Sequence, residues 1–250
     1  MENVLKQLRD YGRFLELEER LPQLKEQLAE GKYLLREAGL KTAQAKWEYG
    51  KLEKGGFFQR LRGNWEDRKE EAYREYRSAQ QAEQVSKQEL ALREMALEEA
   101  RQERDALAEC WERYLQQREL YLASDGDTVS FMEMQKSVVA EIVLREVESC
   151  IKALQGAHAW MQTDAIRKGV SQANRKLEFL AVARGHVGNM VSLLELLPEG
   201  TVEISSYLRN PDGHILGVTS EYKQLDRLNL AEEQLRRLRK QMKAILETEA

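Results

Sequence analysis

Proline and glycine, the residues that most often interrupt helices, are scarce and unevenly placed in this chain. There are 3 prolines in 250 residues, and no glycine occurs between Gly63 and Gly126. A hydrophobic content of 42% with a charged content of 33% is typical of elongated helices that expose much of their surface. The composition therefore predicts a mainly α protein.

Cysteine and histidine, the commonest ligands of structural metals, are also few. Cys110 and Cys150 have no C-x-x-C spacing and no histidine nearby, which argues against a zinc site or a disulfide framework and favours buried free thiols. The histidines are separated along the chain and belong to no metalloprotease or phosphate-loop motif. We therefore expect no catalytic residue, no metal and no cofactor. The three histidines are His158, His186 and His214.

A strong excess of one charge and a long apolar run are missing as well. The formal net charge of -4 argues against nucleic acid as a partner. Apolar stretches such as residues 191–197 are too short to span a bilayer, and Met1 is followed by a charged helical pattern instead of an apolar signal segment. These features predict a cytoplasmic protein.

Two heptad patterns lie on either side of one strong helix break at residues 54–65. From residue 14 to 52, apolar or small residues recur at alternating steps of three and four, and the same frame returns from 72 to 121 with fewer leucines. Patterns of matched length predict a long antiparallel coiled-coil hairpin over residues 1–123. A parallel homodimer through each pattern is the competing arrangement.

The charges of the two halves support the hairpin. Residues 1–63 carry 13 basic and 10 acidic side chains, whereas residues 64–123 carry 10 basic and 15 acidic ones. Opposite net charges are expected of helices that lie side by side. Pro22 lies inside the first pattern and predicts a kink or a break near Arg20, with a separate short helix before it.

A smaller helical body is predicted for residues 124–219. Turn and capping residues at 124–128 begin it, and its glycines divide it into shorter helices. We interpret residues 184–189 as a turn between helices and residues 190–197 as a short buried helix. The dividing glycines are Gly156, Gly169, Gly185 and Gly188.

Two further elements are predicted towards the end of the chain. Alternating apolar residues on both sides of the turn Asn210–Gly213 predict a β-hairpin at residues 201–219. Residues 220–250 carry a third heptad pattern, which predicts a coiled-coil helix that packs on the hairpin or associates with another copy. Its apolar positions are Leu228, Ala231, Leu235, Leu238, Met242 and Ile245.

The tip of the hairpin is the candidate binding site. Aromatic and leucine side chains occur there beside arginines, a combination found in surfaces that bind proteins or membranes. Alternatively, the apolar side chains fold inward and cap the coil. Nucleic acid is disfavoured because the basic cluster is small. The candidate residues are Phe57, Phe58, Arg60, Leu61, Arg62 and Trp65.

The tip also carries a family resemblance. The pair Phe57-Phe58, the step Leu61-x-Gly63 and the Glu- and Lys-rich sequence after it resemble the hairpin tip of uncharacterised bacterial coiled-coil proteins. The resemblance covers about thirty residues, and Gly55-Gly56 and Trp65 are not part of it. It implies a helical hairpin and no particular activity.

The sequence as a whole favours a non-enzymatic interaction or scaffolding protein that binds a protein partner through the tip or the heptad seams, with a homo-oligomer as one form of such binding. A peripheral membrane protein that inserts its aromatic tip into lipid is the second hypothesis. An enzyme with a site between residues 156–219 and the coil is the third.

Overall fold

A computed structural model of the chain describes residues 1–54, 64–124, 127–164, 170–202 and 221–248, without the side chains of 161–164, 170–176 and 221–224. These residues are mainly helical, which confirms the predicted class, and no strand occurs among them. The predicted β-hairpin lies outside the described residues from position 203 onward. The helices are α1 (Glu2–Glu53), α2 (Trp65–Ala106), α3 (Cys110–Ala123), α4 (Thr128–Asp164), α5 (Val170–Leu194) and α6 (Glu221–Thr248).

The chain forms two compact units. Met1–Gly12 and Cys110–Ala250 make one, here called the helical body, and Arg13–Glu109 make the other, here called the two-helix unit. The sequence had suggested division after residues 123 and 219 instead. The difference arises because the first turns of α1 supply buried side chains, among them Leu5 and Leu8, to the body.

In the two-helix unit, α1 and α2 run antiparallel. As the residue number on α1 rises from 13 to 49, the number of its partner on α2 falls from 103 to 73. In order along α1, the pairs are Arg13–Glu103, Gln27–Arg93, Thr42–Ala79 and Tyr49–Tyr73.

The break expected at Pro22 does not occur. Helix α1 is continuous from Glu2 to Glu53 and includes Pro22, so the separate short helix predicted before it is wrong. Pro22 lacks an N–H and removes one backbone hydrogen bond. Its neighbours Leu21 and Leu24 are buried against α2, and this packing supports the helix across the proline.

The second long helix of the prediction is in fact two helices. Helix α2 ends at Ala106, and the N–H of Leu107 bonds to the carbonyls of Glu103 and Arg104 at 3.2 and 3.1 Å. A tight turn follows, and α3 begins at Cys110. The sequence does not reveal this turn because it contains neither glycine nor proline and keeps the three-four spacing.

The helical body is built around α4, which packs against both α5 and α6. The heptad pattern of the last helix is its buried face, since all six predicted positions from Leu228 to Ile245 are at most 9% exposed. We predict from the sequence that this helix packs on the long hairpin, whereas its described contacts are with α4 of the body.

The boundaries predicted inside the body are only partly correct. Asp127 caps α4, because its carboxylate accepts the backbone N–H of Ser130 at 3.1 Å. Gly156 lies within α4, however, and Gly185 and Gly188 lie within α5, so the predicted turn at residues 184–189 is wrong. Glycine weakens a helix only modestly, and buried neighbours such as Val187 and Met190 hold α5 together.

Candidate functional site on the two-helix unit

The apolar core of the two-helix unit is concentrated at one end. Leu17, Leu21 and Leu24 of α1 pack with Leu97 and Ala100 of α2 in a single buried cluster. This part of the unit carries the large side chains that a heptad seam needs, so it supplies most of the hydrophobic stabilisation of the pair.

Farther along, the helices meet through small residues, a threonine hydroxyl and a pair of tyrosines. The hydroxyl of Thr42 donates to the carbonyl oxygens of Ala38 and Ala79 at 3.0 and 3.1 Å. Ala72 is buried, and Tyr49 stacks on Tyr76 with ring centroids 6.2 Å apart. Because the contact residues are small, this part of the seam buries less apolar surface than the leucine cluster does.

Three large apolar side chains of this region on α1 point outward. Tyr33, Leu40 and Trp47 are 62%, 60% and 64% exposed. They recur every seven residues on α1, so they lie on one face of the helix and form a line about 21 Å long. We call these three residues the outer stripe.

The outer stripe lies outside the direct α1–α2 seam, with Tyr33 and Trp47 at the edges of grooves between the two helices. Leu40 is two residues before Thr42, and Trp47 is two residues before Tyr49, and both of those residues contact α2. Two positions on a helix are about 200° apart around its axis. The α1–α2 contact therefore cannot cover the stripe. Other exposed apolar side chains of this unit are Leu34, Tyr73, Val85, Leu92 and Met95.

Half of the residues lining a groove beside the stripe are alanine or serine. It holds about 540 Å³ between α1 and α2, and Tyr33, Leu34 and three alanines are among its lining residues. Small residues allow another backbone to approach closely, as in helix packing generally. The alanines are Ala38, Ala79 and Ala82.

A second groove lies where α1 ends and α2 begins. It holds about 660 Å³ and is lined by two tryptophans, Trp47 and Trp65, together with charged residues. Each tryptophan carries a lysine over its ring: Lys51 Nζ is 4.8 Å from the Trp47 centroid, and Lys69 Nζ is 5.4 Å from that of Trp65. Such contacts combine an aromatic surface with positive charge.

The predicted tip is described at only one of its six candidate positions. Trp65 is the first residue of α2 and is half-buried, so it lies at the groove described above. The remaining candidates lie outside the described residues. They are Phe57, Phe58, Arg60, Leu61 and Arg62.

One of the three histidines, His186, lies in a polar contact inside the body. His186 is 7% exposed, and its Nδ1 lies 2.9 Å from Oε2 of Glu146, which also accepts a hydrogen bond from the Asn189 amide at 3.0 Å. These groups join α5 to α4 inside the body. His158 is half-buried and His214 lies outside the described residues.

The thiols of the body are held in their neutral form. Burial raises the pKa of Cys110 to about 11, with a smaller contribution from the negative charge of Asp10. Burial likewise raises the pKa of Cys150 to about 12, and Glu146 adds to the effect. A nucleophilic cysteine needs a lowered pKa, so neither thiol is suited to that role.

Two features of the described residues bear on other functions. Within those ranges, no three histidine, cysteine or acidic side chains come together in a group able to hold a metal ion. No helix of the same part of the chain has both the length and the apolar character needed to cross a membrane.

The outer stripe was not predicted from the sequence, because the heptad pattern identifies only the residues that face the partner helix. The signal was nevertheless present, since Tyr33, Leu40 and Trp47 repeat at intervals of seven. Glu146 was also missed. It falls among buried Val143, Val147 and Cys150 at helical spacing, which marks a polar residue on an apolar face.

No family model matches this chain, and neither the curated proteins nor the solved structures contain a match to it. The resemblance to bacterial coiled-coil hairpin proteins therefore stays a prediction. The function has to be argued from the geometry of the two-helix unit.

Proposed function

We propose that this chain is a non-enzymatic, cytoplasmic interaction or scaffolding protein whose two-helix unit is a coiled-coil hairpin that binds a partner protein. Binding involves the outer stripe, the 540 Å³ groove beside it, here called the seam groove, and the tip. The observation that carries the proposal is the placement of small and large side chains beyond the leucine cluster. There, small residues such as Ala72 and Ala79 face the seam while Leu40 and Trp47 face outward.

This placement leaves apolar surface in water, and its burial against a partner would be favourable. Of the fourteen large apolar side chains exposed in the described residues, eight belong to the two-helix unit. Exposed apolar groups aligned on one helix face are typical of helix-to-helix recognition, in which residues at regular helical spacing insert into a partner. The seam groove with its alanines offers an adjoining surface for a helix of the partner.

The partner-binding proposal is tested by removing the stripe without touching the seam. The variant combines Tyr33→Ser, Leu40→Ser and Trp47→Ser, and the control combines Leu120→Ser with Val129→Ser, which are 72% and 75% exposed in the body. Crosslinking in cells followed by mass spectrometry should recover proteins with the wild type and the control that the stripe variant fails to recover. Recovery of the same proteins by all three chains would refute the proposal.

The coiled-coil hairpin has a separate test. Leu24→Cys combined with Leu97→Cys places two thiols in the buried cluster of α1 and α2. Mild oxidation should form a disulfide within a single chain, seen as a change in mobility on a non-reducing gel without a change in mass. Disulfides that formed only between chains would instead favour the parallel homodimer.

A second candidate function, binding to an anionic membrane surface, is favoured by the two tryptophan–lysine contacts. Tryptophan and lysine are common at membrane interfaces, where the ring lies among headgroups and the ammonium meets lipid phosphate. Flotation with vesicles containing phosphatidylserine tests it. Wild type should float, while Trp47→Ser with Trp65→Ser and, separately, Phe57→Ser with Phe58→Ser should float less. Equal flotation of all three chains would remove the tip and its groove from consideration.

A further inference from the structure

We propose that the partner seated on the outer stripe is a second copy of this chain, whose α1 packs antiparallel to the first with Leu40 facing Leu40. The inference rests on the proposed function, because it names the occupant of the same surface. It starts from the symmetry of the stripe: an aromatic residue stands seven positions before Leu40 and another stands seven positions after it.

That symmetry makes the stripe complementary to itself. When two copies of α1 pair in opposite directions about Leu40, Tyr33 of each copy meets Trp47 of the other. A two-fold interface requires such self-complementarity, since one patch must serve as both surfaces. A different protein would not require this arrangement of side chains around a central leucine.

The charges next to the stripe agree with this order. Glu30 and Lys51 lie on the same flank of the stripe. Glu30 is ten residues before Leu40 and Lys51 is eleven residues after it. The antiparallel order therefore places Glu30 of one copy near Lys51 of the other. Lys51 already lies 4.8 Å over the Trp47 ring, and Glu30 is 64% exposed with its carboxylate 3.6 Å from Arg93 Nη1. A parallel order would place the two Lys51 side chains at the same level.

At the two ends of the stripe, the residues on the other flank are small. Ala29 and Gly50 lie beside Tyr33 and Trp47, and they would face each other across the antiparallel pair. A Cβ added at Gly50 meets no atom within 4 Å, so the space next to this glycine is open. Small residues there leave room for the two aromatic side chains to overlap.

The size of the stripe sets the expected strength. A face about 21 Å long and about 10 Å wide buries roughly 400 Å² in total, well below the roughly 1,200 Å² of a stable interface. The association is therefore weak and concentration-dependent. It would be strengthened wherever many copies are held close together.

Sedimentation equilibrium of the full chain from 1 μM to 1 mM tests the association. Wild type should change from monomer to dimer within this range, and Leu40→Glu should weaken the dimer at least tenfold. Leu92→Glu is the matched control, because Leu92 is 65% exposed on α2 and is not part of the stripe. A wild-type chain that is monomeric throughout would overturn the inference, as would equal effects of the two substitutions.

Cysteine pairs test the direction of packing. Leu40→Cys should form an interchain disulfide with itself, whereas Tyr33→Cys and Trp47→Cys should crosslink rapidly only when the two variants are mixed. If Tyr33→Cys alone crosslinked as fast as the mixture, the antiparallel order would be wrong.

A charge exchange tests the predicted pair between Glu30 and Lys51. Lys51→Glu should weaken the dimer severalfold, and Glu30→Lys in the same chain should restore it. A double variant that dimerises no more strongly than the single variant would contradict the predicted pair.

The inference and the proposed function fail in different ways. If the chain is monomeric but Leu40→Glu still abolishes its crosslinks to other proteins, the inference of a second copy is wrong and the proposed partner-binding surface is supported. A chain that neither dimerises nor loses any crosslinked protein on this substitution would overturn both.

Discussion

The carboxylate of Glu146 on α4 lies 2.9 Å from Nδ1 of His186 on α5, inside the core of the helical body. The two side chains are 6% and 8% exposed. A buried acceptor that serves both His186 and Asn189 fixes the register between these helices, because neither neighbour can shift without losing its hydrogen bond. The pair therefore stabilises the packing of α4 against α5 in the body.

We expect Glu146→Ala to lower the free energy of unfolding by about 3 kcal/mol, because His186 and Asn189 would lose their shared acceptor in the core. Urea unfolding followed by circular dichroism measures this change. Glu141→Ala is the control: Glu141 is on the same helix, 59% exposed and 3.5 Å from Arg145, and its loss should cost less than about 0.5 kcal/mol. Similar losses for the two variants would show that the buried pair is not important.

We expect the two-helix unit to depend on its leucine cluster much more than on its exposed leucines. Leu97→Ala removes a side chain that is 4% exposed and should cost about 3 kcal/mol. Leu92→Ala, on the same helix and 65% exposed, should cost less than about 0.5 kcal/mol. Urea titrations of both variants would test this, and a large cost for Leu92→Ala would mean that this side chain is covered in solution.

We expect two glycines of the body to respond oppositely to alanine. A Cβ at Gly156 would lie 2.6 Å from Cε1 of Phe179, so Gly156→Ala must displace the ring and should destabilise the protein by about 1 to 3 kcal/mol. A Cβ at Gly185 meets no atom within 4 Å, and Gly185→Ala should stabilise by about 0.5 to 1 kcal/mol through its higher helix propensity. Thermal unfolding of both variants would check the signs; stabilisation by Gly156→Ala would contradict the close approach.

We expect the body to lose stability at alkaline pH. The pKa of Cys110 is raised from 9.0 to about 11 and that of Cys150 from 9.0 to about 12, mainly by burial. The folded state therefore holds these protons more tightly than the unfolded state. Their contribution is complete below about pH 9 and is lost as the pH rises through the folded-state values.

The corresponding measurement is the urea midpoint between pH 8 and pH 11, which should fall as the pH rises. Cys150→Ala removes one of the groups and should reduce the slope, while its overall loss of packing should appear equally at every pH. A slope identical to that of the wild type would show that this thiol does not contribute to the pH dependence.

Much of the architecture could be predicted from local patterns. The helical class, the apolar face of α6 and the capping of α4 near Asp127 follow from periodicity and from the chemistry of one or two residues. The errors occur where tertiary packing overrides a local signal. Leu21 and Leu24 maintain α1 across Pro22, and buried neighbours maintain α5 across Gly185 and Gly188.

The candidate site was predicted less completely than the fold. Phe57, Phe58 and the tip arginines lie outside the described residues, and only Trp65 can be placed, at a groove next to Trp47. The outer stripe became evident only when the contacts of Thr42 and Tyr49 identified the face of α1 that meets α2. Whether a side chain on a helix is inside or outside depends on the position of the neighbouring helix.

The sequence by itself determined that the chain is helical and which residues share a face of each helix, because helix periodicity is a local property of the backbone. Only the tertiary structure decided that α1 contributes to both units, that a turn at residues 107–109 separates α2 from α3, and that Glu146 meets His186. Each of these depends on contacts between residues far apart in the chain, and spacing within one segment carries no information about them.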